Sequence, residues 1–179
     1  MLLEERVARA TTEAEAVELA RELYGLSVSA KALPGEYDDN FHLTAIDKGT
    51  GQKSEPDGFV LKVMHPARER AFIDMQCRAL QHLAERAPQL TLPRVQLNRR
   101  GEVFAAVDVA GVTRLVWLLT YVPGTMLVKA RPHSSELLRD LGRFLGEMDA
   151  ALKDFSHAAG RRELKWDLAR AGWIAPGLE

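Results

Sequence analysis

Hydrophobic and polar positions follow two different periods along this chain. In EAEAVELARELYG, Val17, Ala20, Leu23 and Tyr24 recur at three- and four-residue steps, the signature of an amphipathic helix. Thr12 with Glu15 three residues on forms a capping-box pair at its start. Gly25 ends it, because glycine enters the left-handed conformation at little steric cost. The period then shortens to two. LSVSAKAL (residues 26–33) alternates and stops at Pro34-Gly35; NFHLTAID alternates again with Phe41, Leu43 and Ala45 on one side. A polar connection, KGTGQKSEPDG, leads to a third strand, FVLKVM, at residues 59–64. Three strands on short connections predict an antiparallel meander.

The helical period returns over residues 66–86, with Phe72, Met75, Ala79 and Leu83 on one stripe. RVQLN, VFAAVDV and TRLVWLLTYV are further strand candidates, separated by Arg99-Arg100-Gly101 and by a turn in VAGV. The last ends at Pro123-Gly124. Ser134-Ser135 supplies an N-cap for a long helix carrying Leu138, Leu141, Leu145, Met148 and Leu152 at heptad-like spacing. Such a stripe is more often core than coiled-coil seam. RRELKWDLARA reads as a last helix. The order helix, three strands, helix, two or three strands, helix predicts an α+β fold: an antiparallel sheet with a helix inserted after its third strand.

Composition narrows the function classes. The chain has 179 residues, 46% hydrophobic and 27% charged, which is globular. A formal net charge of -1 argues against nucleic-acid binding, and Arg99-Arg100 and Arg161-Arg162 read as ordinary solvated pairs. The single cysteine, Cys77, has no internal disulfide partner and no metal-ligand spacing around it, and reads as a small buried side chain. The N-terminus is too acidic for a signal peptide and no 18-residue apolar run exists. No membrane contact and a cytoplasmic location are the expectations.

Two lysines carry the candidate chemistry. Lys53, in GTGQKS, superficially suggests a phosphate-binding loop. That motif needs a glycine adjacent to the lysine and a helix after it, whereas Gln52 intervenes and another strand follows. GTGQKS is therefore read as a solvated connection. Lys62 lies inside FVLKV, with Val60 and Met64 on its own face. An ammonium so placed belongs at a cleft or a sheet edge. A lysine on the third strand, followed by a helix, is the arrangement by which kinase-like enzymes touch nucleotide phosphates.

The stretches LPGEYDDNFHL, FVLKV, Asp74-Met75-Gln76, WLLTYVPG and LKWDLARA, in that order, resemble the N-terminal part of an aminoglycoside-phosphotransferase-type small-molecule kinase. Within that group the chain is most similar to hydroxylysine kinase and to kinase-like domains fused to class III aminotransferases. The resemblance implies a protein-kinase-like N-lobe, with a five-stranded antiparallel sheet and inserted helix, over residues 26–122. An N-terminal helix (1–25) precedes it; a hinge (119–124) and the first helices of a C-lobe (125–179) follow. Lys62 would contact the phosphates of ATP or GTP, with Gln76 facing it where most kinases place a glutamate. The loop PGEYDDNF would cover the phosphates through Gly35 and Asn40, while Glu36, Asp38 and Asp39 read as ordinary turn formers. Leu119, Thr120, Tyr121 and Val122 would hold the base by main chain.

The resemblance also implies residues that this chain lacks. The family's catalytic aspartate sits in a His-Gly-Asp segment, but His42, His65, His82, His133 and His157 are followed by Leu, Pro, Leu, Ser and Ala. Asp140-Leu141-Gly142 lies inside the heptad-patterned helix and is a decoy for the metal-binding triplet. No catalytic or metal-binding residue is assigned, and the ligands for Mg2+ are expected outside this chain. The expectation is the nucleotide-binding part of a kinase acting on a hydroxyl of a small amino-alcohol, itself inactive. Its rivals are a non-catalytic module serving a fused or partner aminotransferase, and an interaction domain dimerising through the Leu138–Leu152 stripe.

Overall fold

The computed structural model describes residues 9–46 and 58–161, with residues 169, 172 and 174. Lys53 and Trp166-Asp167 lie outside the described residues. The first helix, α1 (Glu13–Tyr24), is closed at both ends by the predicted signals. Thr12 Oγ1 accepts from Glu15 N at 3.2 Å, Glu15 Oε2 accepts from Thr12 N at 2.7 Å, and Gly25 takes φ 72°.

The strands are β1 (Val28–Leu33), β2 (Asp39–Ala45), β3 (Phe59–Val63), β4 (Val95–Gln96), β5 (Ala105–Val109) and β6 (Val112–Thr120). They form one antiparallel sheet of six strands, not the expected five, because the two residues of β4 add a short sixth. The meander β1-β2-β3 docks on β6, whose other edge carries β5 against Val112–Val116 and β4 against Leu118 and Leu119. Ala110 (φ 55°) and Gly111 (φ 81°) make the tight turn between β5 and β6.

Alternation divides the sheet into two faces. Phe41, Leu43, Leu61, Val63, Val116 and Leu118 pack with Ala16, Leu19 and Ala20 of α1. Met64, Leu115, Trp117 and Leu119 pack on the opposite face with Ile73 and Cys77 of α2 (Arg70–Arg86). The buried stripe of α2 is Ile73, Cys77 and Leu83. The Phe72–Met75–Ala79 line lies beside it, so the predicted stripe is rotated about the helix. Cys77 is fully buried, and burial pushes its thiol up to about 12.

Helix α3 (Ser135–Leu152) starts at its Ser134 cap, but the core role expected of its apolar stripe is not observed. None of its residues is buried; Leu138 is 52% and Leu145 45% exposed. The segment that follows it, through Asp154 and His157, is held to α2 by polar contacts. Asp74, Arg78, His82 and Arg86, spaced by four, form one ridge of α2. His157 Nε2 meets Asp74 Oδ2 at 3.1 Å, His82 Nε2 meets Asp154 Oδ1 at 3.0 Å, and Arg86 pairs with the same carboxylate. No helix among the described residues is long and apolar enough to cross a membrane.

Candidate functional site

Asn40, Lys62 and Trp117 are consecutive partners across β2, β3 and β6, so their side chains share the face that carries α2. Trp117 is 2% exposed and forms an apolar floor, its indole N–H donating to Met64 Sδ at 3.1 Å. Lys62 stands half-buried beside it and donates from Nζ to Asn40 Oδ1 at 2.6 Å. Burial lowers the Lys62 pKa; Asp38 acts to raise it and Arg68 to lower it. No described carboxylate lies within ion-pair distance of the ammonium. Gln76 is half-buried on α2 and makes no hydrogen bond to Lys62.

The connection from β1 to β2 folds back on this lysine. Asp38 Oδ1 accepts from His65 N at 2.7 Å, and its Oδ2 accepts from Arg68 Nη2 at 3.0 Å, tying the loop to the turn after β3. Asp39 is buried and pairs with Arg114. The reading of these two acids as ordinary turn formers is therefore corrected: each holds a partner distant in sequence. Gly35 is needed for its lack of a side chain, since a Cβ there would lie 2.2 Å from the Asp38 carbonyl oxygen and 2.6 Å from Asn40 Nδ2. Gly35→Ala is expected to displace the loop and cost about 1–3 kcal/mol. Urea unfolding checks this, and an unchanged midpoint would show that the loop yields freely.

Residues 119–122, expected to hold the base by main chain, are more selective than their sequence indicates. Thr120 N donates to Arg94 O and Tyr121 N to Gly58 O, both at 2.9 Å, so two main-chain donors are committed to the sheet. Val122 has no such bond among the described residues. Leu119 is 8% exposed and belongs to the α2-side core. The Tyr121 ring stacks on His42 with centroids 4.1 Å apart, beside Val60, which pairs with both His42 and Leu119. Sequence reasoning missed this stack and the Asn40–Lys62 bond. Both depend on the cross-strand registers of β2 with β3 and, for the stack, of β3 with β6, which residue type does not reveal.

The arrangement therefore offers an ammonium with no carboxylate in ion-pair contact among the described residues, a loop folded over it, and a main-chain donor at Val122 at the edge of an apolar and aromatic surface. These groups suit an anionic ligand with a planar part. Among the described residues no cluster of three His, Cys, Asp or Glu could hold a metal ion.

The phosphotransferase enzyme family model matches residues 29–179. The hydroxylysine kinase of Mus musculus is 29% identical over 151 residues, covering 82% of this chain and 40% of that protein. The hydroxylysine kinase of Danio rerio is 30% identical over 153 residues, with coverage of 82% and 40%. The chain thus spans less than half the length of these relatives. Among solved structures, an amicoumacin kinase in complex with AMP-PNP, Ca2+ and Ami superposes with TM-score 0.66 at 19% identity, covering 87% of this chain and 45% of that one. A microcompartment-associated aminopropanol kinase gives TM-score 0.61 at 20% identity, with coverage of 86% and 45%. These two establish likeness of fold. With the family match running from β1 to the last residue, the chain belongs to the phosphotransferase enzyme family.

Proposed function

We propose that this chain is the nucleotide-binding portion of an ATP- or GTP-dependent phosphotransferase acting on a hydroxyl of a small amino-alcohol. The observation that carries the reading is Lys62: a half-buried ammonium bonded to a neutral amide, with no carboxylate among the described residues in ion-pair contact, so that it remains available to phosphate. The 34–40 loop covers the phosphates, and the Val122 main chain, with Thr120 and Tyr121 held in the sheet beside it, meets the base. His42 and Val60 border that base. The family supplies the prior for Mg2+, whose ligands, with the catalytic aspartate, come from residues outside this chain. By itself the chain binds nucleotide and turns nothing over. The amino-alcohol class rests on relatives that are hydroxylysine kinases and on a structural neighbour named as an aminopropanol kinase.

Calorimetric titration with ATP and GTP, with and without magnesium, tests this. Lys62→Ala is expected to lower affinity by tenfold or more, roughly the worth of a charge-assisted hydrogen bond to phosphate. Lys53→Ala is expected to leave it unchanged. Equal loss in both variants, or none in either, would overturn the assignment of Lys62. A non-catalytic module serving a fused or partner aminotransferase is the second reading, favoured by the neutral Gln76. Phosphoryl transfer by the complete protein excludes it.

A further inference from the structure

We propose that Asn40 is the positioning residue for Lys62, acting as a neutral stand-in for the helix-borne glutamate and coupling the 34–38 loop to the lysine. The inference rests on the nucleotide reading above for its purpose, but not for its geometry.

The Asn40 side chain is fully engaged. Its Nδ2 donates to Pro34 O at 3.4 Å and to Asp38 O at 3.3 Å, while Oδ1 accepts from Lys62 Nζ at 2.6 Å. This set fixes which amide atom faces which way. Turning the amide over would place an NH2 against an ammonium and an oxygen against two carbonyls, leaving every contact repulsive. The space for Nδ2 exists because position 35 is glycine.

Two consequences separate this device from a helix-borne carboxylate. Asn40 and Lys62 are direct partners on adjacent strands, so the sheet sets their distance and the position of α2 does not. A displacement of α2 would leave the lysine in place. Secondly, an amide accepts the hydrogen bond without neutralising the charge. The charged groups acting on Lys62 are Asp38 and Arg68, which pair with each other at 3.0 Å and work in opposite directions. The balancing charge must then arrive with the ligand. When a phosphate oxygen approaches Nζ, the lysine gains an anion in direct contact, and the loop held by the same Asn40 lies over the newcomer.

The test follows the titration of Lys62 in the whole chain by NMR of 13Cε-labelled lysine, with the signal assigned through Lys62→Arg. Asn40→Asp is expected to move the midpoint up, because the carboxylate becomes a permanent partner. Asn40→Ala is expected to move it down, because an acceptor of the charged form is gone. Opposite directions at one position are a response that a purely structural residue would not give. Asn40→Asp is also expected to weaken ATP binding by about tenfold, the internal anion competing with phosphate. The proposal is overturned if the midpoint ignores both substitutions, or follows Gln76→Ala instead. Should Asn40→Ala fail to fold, Lys62→Met read at the Asn40 side-chain amide decides: a shift of that 15N pair is expected, and an unmoved pair refutes the contact. Nucleotide titrations of the same samples keep the two readings apart. Midpoints that respond in a chain that binds no nucleotide leave the positioning role standing and remove the nucleotide role.

Discussion

Replacing Asp39 by alanine is expected to lower the stability of this fold by about 3–5 kcal/mol, the usual cost of stripping one partner from a buried ion pair. Arg114 is 3% exposed and Asp39 7%. The carboxylate Oδ2 accepts from Arg114 Nη1 at 3.0 Å, from Thr11 N at 2.9 Å and from Thr11 Oγ1 at 3.0 Å. The guanidinium also donates to Met64 O at 2.5 Å and Val63 O at 2.9 Å. Without Asp39 a buried cation remains with neutral acceptors alone among the described residues. Asp39→Asn keeps the shape and loses the charge, so an intermediate loss is expected. The pair Asp39→Leu with Arg114→Met is expected to recover much of the deficit, because both desolvation costs disappear together. Urea unfolding of the three variants measures this. A loss below about 1 kcal/mol for Asp39→Ala would mean that water reaches Arg114.

Trp117→Ala is expected to cost a comparable amount, about 3–5 kcal/mol, by a different route. The indole fills the layer between β6 and α2 with Met64, Ile73, Cys77, Leu115 and Leu119, all less than a tenth exposed. Its removal leaves a void that a sheet pinned by β3 and β5 on either edge of β6 closes only in part. The second effect appears at the site. Trp117 is the cross-strand partner of Lys62 and part of what excludes water from it. Hydration of the void is expected to bring the lysine pKa back up toward its ordinary value, measurable in the same 13C titration. Trp117→Phe, which retains most of the volume, is expected to show a smaller loss of stability and little change at Lys62.

Local signals accounted for most of the elements. The Thr12–Glu15 cap, the Gly25 stop and the Ser134 cap act within one turn of chain, so residue identity nearly determines the geometry. Strand alternation placed Lys62 on one face with Val60 and Met64, as observed. Long-range pairings were not legible. Asp39 and Arg114 are 75 residues apart, and each alone resembles a solvated surface charge. On α2, Phe72 and Met75 flank Ile73 closely enough that two stripes fit the same period, and only docking against Trp117 and Leu115 selects between them. The apolar pattern of α3 correctly marked a helix but carried no information about what would cover it. At the site, the order of elements pointed to Lys62, and the family resemblance to Gly35 and residues 119–122. The partner of the lysine depended on strand register, and the availability of the main-chain donors of Thr120 and Tyr121 depended on hydrogen bonds to Arg94 and Gly58.

The packing of α1 bears on what the smallest self-sufficient folding unit is. The family match begins at residue 29, after α1 has ended. Yet Ala16 and Ala20 are fully buried on the sheet, and Thr11 donates to Asp39 from both its main-chain N and its Oγ1. Trimming the polypeptide to the matched residues would bare the Phe41–Leu61–Leu118 face to water and take both Thr11 donors away from Asp39. The segment ahead of the family boundary is thus a structural half of the sandwich, and a version lacking it would begin life as an exposed hydrophobic sheet.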